Sequence, residues 1–175
     1  MVYTPNLRFD RLGRAIKEST SERKIDFAVT VQCLPDIFAG PAITSGLVDY
    51  VWIEIFSGYN CYSEIGEVSE GILDQWEYWT KKASNTLFFL DLSAEPKEAF
   101  GYTYISPEAL KSEILPTAKE ASNYGGVMIR QRLEDIKYSY IGQIKNSVRK
   151  VCKCACDESV STSFYGLHQR SLQNV

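Results

Sequence analysis

Val51-Trp52-Ile53-Glu54-Ile55-Phe56 is the stretch whose alternation decides the fold. Its odd positions, Val51, Ile53 and Ile55, are all β-branched and suit a strand face that packs against helices. Its even positions, Trp52, Glu54 and Phe56, project the opposite way, because side chains alternate across a strand. A carboxylate between two aromatics on a face expected to be buried is unusual. Two settings accommodate it. In a closed barrel that face is the lumen, and residues at the C-terminal ends of the strands line the site. On an edge strand, Glu54 simply faces water.

Outward from this strand, three further apolar β-rich segments recur: Ile25–Val31, Leu87–Leu92 and Val127–Ile129. Helical spacing fills the intervals. Ile72, Leu73, Trp76, Trp79 and Ala83 share one helix face. Ser106 reads as an N-cap with Pro107 at the first helical position, ahead of Leu110, Ile114, Leu115 and Ala118. Pro116 reads as a kink or stop in that helix. A first helix runs through Phe9, Leu12 and Ile16, and a last one from about Glu134 through Ile141, Ile144 and Val148. Strands alternating with helices imply βαβ units and a parallel sheet. A doubly wound sheet and half of a (β/α)8 barrel both satisfy this order.

The 175 residues are 45% hydrophobic and 13% aromatic, enough for a sizeable core. A net charge of −3 argues against a nucleic-acid partner. No run approaches the roughly 18 apolar residues of a membrane span. The opening MVYTPNLRFDRLGR has no apolar signal core, so the chain as written reads as one without a secretory signal. Of five cysteines, Cys152, Cys154 and Cys156 crowd the tail, where their spacing is not that of a structural zinc site. Neither a metal nor a cofactor is expected. By composition, Cys33 and Cys61 read equally as buried small residues or as a bonded pair.

Several segments together resemble the second half of the plant class III chitinases, of glycoside hydrolase family 18. Thr30–Asp36 (TVQCLPD) is similar to that family's fifth strand and cysteine loop, and Ser45–Phe56 (SGLVDYVWIEIF) to its sixth strand. Ile72–Thr80 and Leu87–Pro96 look like the following helix and the seventh strand. Tyr104–Ile129 resembles the seventh helix and the eighth strand. The combination DYVW, ILP and YGGVM at these spacings carries the resemblance, which spans roughly residues 5–148. It implies a partial (β/α)8 barrel, the last four β/α units, over residues 1–150, with 151–175 as an unmatched tail.

The resemblance also implies what is missing. The family's catalytic motif, Asp-x-x-Asp-x-Asp-x-Glu on the fourth strand, should lie just upstream of Leu7–Lys17, and no Asp-x-Asp-x-Glu occurs in this sequence. In that family the Glu protonates the glycosidic oxygen while the substrate's N-acetyl carbonyl attacks the anomeric carbon. General acid catalysis alone is worth roughly 10²–10⁴ in rate. No catalytic residue is therefore assigned.

Three substrate-groove positions have also departed from the family pattern. Active members end the sixth strand in Gln-Phe-Tyr, where this chain has Glu54-Ile55-Phe56. They carry Trp where it has Arg130, which offers a sugar ring no apolar platform. The expectation is a chitinase-like protein without hydrolytic activity, or a non-catalytic carbohydrate-binding or glycosidase-inhibitor-like relative.

The family's disulfide maps onto Cys33 and Cys61. Extracellular or vacuolar residence and chitin or N-acetylglucosamine oligomers as ligands come with the resemblance. An open half barrel leaves sheet edges and inner aromatics uncovered, so marginal stability or self-association of half barrels is expected.

Overall fold

A computed structural model describes residues 9–20, 25–33, 39–55, 61, 68, 70–96 and 104–150. The tail with Cys152, Cys154 and Cys156, and Phe56, lie outside the described residues. Four parallel strands, β1 (Ala28–Gln32), β2 (Tyr50–Glu54), β3 (Leu87–Leu92) and β4 (Tyr124–Ile129), pair in sequence order. β1 and β4 are therefore the two edges of this sheet, and β2 is internal. Glu54 is thus not on an edge strand.

The alternation in β2 translates directly into burial. Val51, Ile53 and Ile55 are fully buried, as are Phe88, Leu90 and Leu92 of β3 and Val31 of β1. Tyr50, Trp52 and Phe89, on the opposite face, are only half-buried. Helices cover one face of the sheet. Helix α1 (Phe9–Ser19) precedes β1, and the short α2 (Gly40–Thr44) lies between β1 and β2. Helix α3 (Glu70–Lys82) lies between β2 and β3. Trp76 and Trp79 of α3 are buried, and the Trp76 ring meets Phe88 and Tyr124 edge-on, a favoured aromatic geometry. Lys81 and Lys82 sit in the last turn, where cations complement the helix dipole. The Asn123 amide donates to the carbonyls of Thr80 and Ala83 at 3.0 Å each, satisfying acceptors left open at the helix end.

The helix between β3 and β4 begins as its sequence predicts. Ser106 Oγ accepts from the Ala109 N–H at 3.1 Å, with Pro107 at the first position. The helix then runs as α4 (Pro107–Ala109), a π segment (Leu110–Ile114) and α5 (Leu115–Ala118). Pro116 does not stop it. Proline cannot donate and its ring crowds the carbonyl four residues back. The widened turn, with the Leu115 N–H reaching the Leu110 carbonyl, lets the helix continue for two more residues.

The expected last helix is two. Helix α6 (Arg132–Tyr138) and helix α7 (Tyr140–Ile144) are separated by Ser139 at φ 53° and ψ 38°. Asp135, which is buried, stabilises the break by accepting from the Ile141 N–H at 2.7 Å. A left-handed Ser carries a steric penalty of about 1–2 kcal/mol that Gly escapes, partly offset by glycine's freer unfolded chain. Ser139→Gly is accordingly expected to raise stability by about 0.5–1 kcal/mol, read as the shift in urea midpoint; a loss would show that the Ser side chain contributes something beyond strain.

At the start of β4, an added Cβ on Gly125 would lie 2.5–2.9 Å from the Phe89 ring. The aromatic therefore sits directly on glycine backbone, next to the register shift between Phe88 and Phe89. This close approach explains why β4 opens Tyr-Gly-Gly.

Candidate functional site

The pairing register aligns Gln32 with Glu54 and Glu54 with Asp91, and Asp91 with Met128. These residues form one row across the less covered face, near the C-terminal ends of the strands. Arg130 follows β4, its N–H bonded to the Leu92 carbonyl at 3.1 Å. From there its guanidinium contacts both carboxylates: Asp91 Oδ2 at 2.9 Å and Glu54 Oε1 in a direct ion pair. Three charged groups, on β2, on β3 and just past β4, thus converge.

Burial grades the cluster. The Asp91 side chain is fully buried, Glu54 is 14% exposed and Arg130 is 40% exposed. Asp91 Oδ1 is buried with no hydrogen-bond partner among the described residues. Burial raises the Asp91 carboxyl from 3.8 to about 6, against the opposing pull of Arg130. Arg130 responds the other way. Burial opposes its charge, but the hydrogen bonds to Asp91 and Glu54 outweigh that and hold its pKa above normal. The less exposed partner bears the desolvation, while the more exposed one keeps the gain.

Of the positions singled out from sequence, the structure brings Glu54 and Arg130 into contact. Phe56 lies outside the described residues. Asp91 escaped notice, although its signal was present: one carboxylate in the apolar run LFFLDL, in the same alternation as Glu54. Cys33, just past β1, is joined to Cys61, beyond β2, by a disulfide with Cα atoms 5.7 Å apart; both are fully buried. This Cα separation lies in the usual range for such bonds. Among the described residues no group of three or more His, Cys, Asp or Glu has the arrangement of a metal site.

No family model matches the chain. The acidic endochitinase of Arabidopsis thaliana is 39% identical over 142 residues, covering 80% of this chain and 46% of that protein. The chain is homologous to the plant acidic endochitinases. This endochitinase-like chain spans about half the length of the curated relatives it matches. Its structure is similar to the tamarind chitinase-like lectin, with a TM-score of 0.69 at 31% identity, over 79% of this chain and 51% of the lectin. A xylanase–α-amylase inhibitor protein solved with trehalose gives 0.69 at 25% identity, over 85% of this chain and 54% of its own. These neighbours are family 18 (β/α)8 barrels, and the endochitinase-like chain shares with them an α/β fold on a parallel sheet.

Proposed function

We propose that this chain supplies the last four β/α units of a family 18 barrel, within residues 1–150, and does not by itself hydrolyse chitin. Residues 151–175 form an appended tail in this reading. The observation that carries it is the Arg130–Asp91–Glu54 cluster. Carboxylates at the strand ends would be the candidates for a general acid, which must present a proton to the glycosidic oxygen. Here Glu54 is held in an ion pair with the Arg130 guanidinium, and Asp91, although burial raises its carboxyl to about 6, is bonded to the same group. Asp91 is also too buried to reach a sugar. Arg130, which replaces the aromatic platform expected of active members, is tied down by the same contacts and is not free to stack on a pyranose ring.

A binding function remains open to such a chain, and the lectin and inhibitor among its structural neighbours favour it as the second reading. Chitin or N-acetylglucosamine oligomers are the ligands proposed, in an extracellular or vacuolar setting that permits the Cys33–Cys61 bond. Among the described residues no helix is long and apolar enough to cross a membrane.

Incubation with a chitin tetramer, followed by product chromatography, tests the first reading. The expected outcome is no cleavage above the buffer rate; turnover lost on removing either carboxylate would overturn it. Retention on chitin beads, competed by the tetramer, supports the binding reading, and absence of retention removes it.

A further inference from the structure

We infer that one copy of this chain docks on another, the basic and apolar outer face of α6 seating in an acidic groove between α3 and α5 of its neighbour. Neither surface includes Glu54, Asp91 or Arg130, so the contact is independent of the function proposed above.

The face arises from how seven residues divide around α6. At 3.6 residues per turn, Arg132, Leu133, Ile136 and Lys137 span about 140° of the helix circumference, and all four are exposed. The two acids, Glu134 and Asp135, fall on the other side. Asp135 is buried, where it accepts from the Ile141 N–H, and Glu134 is 19% exposed. Leu133 at 74% and Ile136 at 63% are the most exposed large hydrophobics among the described residues. Lys137 reaches Glu134 at 3.9 Å and the Tyr138 ring at 4.8 Å. Both contacts stay within its own helix and, being exposed to water, hold it weakly. A solvated helix would turn its acids outward and its apolar residues in. Here two apolar side chains face water between two cations, which marks an interaction surface.

The groove has the opposite character. It measures about 470 Å³ and lies between α3 and the end of the α4–α5 helix. Leu73 and Ala121 in its lining are half-buried, whereas Asp74, Glu77 and Glu120 are exposed. Three carboxylates stand against one cation, Lys81, which already pairs with Glu77. The lining therefore carries a net charge of −2 around apolar contacts, complementary to a face with two cations around Leu133 and Ile136.

Topology keeps the two surfaces of one chain apart. The groove reaches Asn123, immediately before β4 begins, and α6 starts at Arg132, past the end of β4 at Ile129. Six residues of strand separate them, about 20 Å. A chain cannot fill its own groove, and the contact between copies joins two different patches.

The full chain, followed by light scattering after size exclusion at low salt, is expected to show a mass that rises with concentration above 19.8 kDa. At about 1 M salt, where screening acts within roughly 3 Å, the association should weaken at least tenfold. Arg132→Glu with Lys137→Glu reverses the face, and Glu77→Lys with Glu120→Lys reverses the groove. Each double variant alone is expected to associate at least tenfold more weakly than the parent, with unchanged circular dichroism. Mixing the two restores association, because each then meets an oppositely charged surface; a misfolded variant could not do this. A parent that stays monomeric overturns the inference, as does association indifferent to salt or to both reversals. Failure of the mixture to associate overturns it equally.

Discussion

Separating Cys33 from Cys61 is expected to lower the unfolding free energy by about 3–4 kcal/mol. The bond closes a loop 28 residues apart in sequence and joins the segments that follow β1 and β2. In the chain-entropy view, its removal frees the unfolded ensemble while native contacts change little. Both sulfurs are fully buried, so Cys33→Ser also places a hydroxyl in an apolar setting and adds to the loss. Urea unfolding of the oxidised chain, of the reduced chain and of Cys33→Ser measures the effect. The two altered forms should fall together, with the Ser variant somewhat lower. Equal midpoints for oxidised and reduced chain would show that the bond stabilises nothing.

The second large effect concerns the charge cluster. Arg130→Met is expected to cost about 2–3 kcal/mol at pH 7, below the 3–5 typical of a broken buried pair because the guanidinium is 40% exposed. The loss arises chiefly from stranding Asp91, which is fully buried, with Oδ1 already unpartnered among the described residues. Arg130→Met with Asp91→Asn removes the stranded charge and should return to within about 1 kcal/mol of the parent. A double variant no better than the single one would assign the loss to packing of the Arg stem.

The pH dependence follows with a definite sign. Asp91 titrates at about 6 in the folded chain, against 3.8 when unperturbed. The folded state therefore binds the proton more tightly than the unfolded chain does. Its contribution is fully present below about pH 3.8 and is lost as pH rises through about 6. At 1.36 kcal/mol per pH unit, that gap amounts to about 3 kcal/mol. The stability of Asp91→Asn relative to the parent should accordingly rise between pH 4 and pH 7. A constant difference across that range would show Asp91 to be unperturbed.

Much of this architecture was legible locally. The faces of β2 followed from the alternation of Val51 to Glu54, because strand periodicity is a property of consecutive residues. The start at Ser106 and Pro107 was equally local, since capping satisfies backbone groups within one turn. The break at Ser139 was not legible. The apolar spacing through Ile141, Ile144 and Val148 runs on as if uninterrupted, and the buried Asp135 that holds the left-handed residue is an unremarkable polar position in sequence. Nor did the apolar spacing of Phe9, Leu12 and Ile16 disclose that α1 would bury none of its residues. Amphipathicity forecasts a helix, but coverage requires a partner on the other side.

What the sequence determined by itself is the α/β alternation, the side of β2 that packs under helices, and the kinship with endochitinases carried by DYVW, ILP and YGGVM. What only the tertiary structure decided is the meeting of Glu54, Asp91 and Arg130. Those residues stand on different strands or just past one, joined through intervening helices, and nothing local couples their positions. Their contact is set by hydrogen-bond register across β2, β3 and β4, and the burial that raises Asp91 exists only once the strands are side by side.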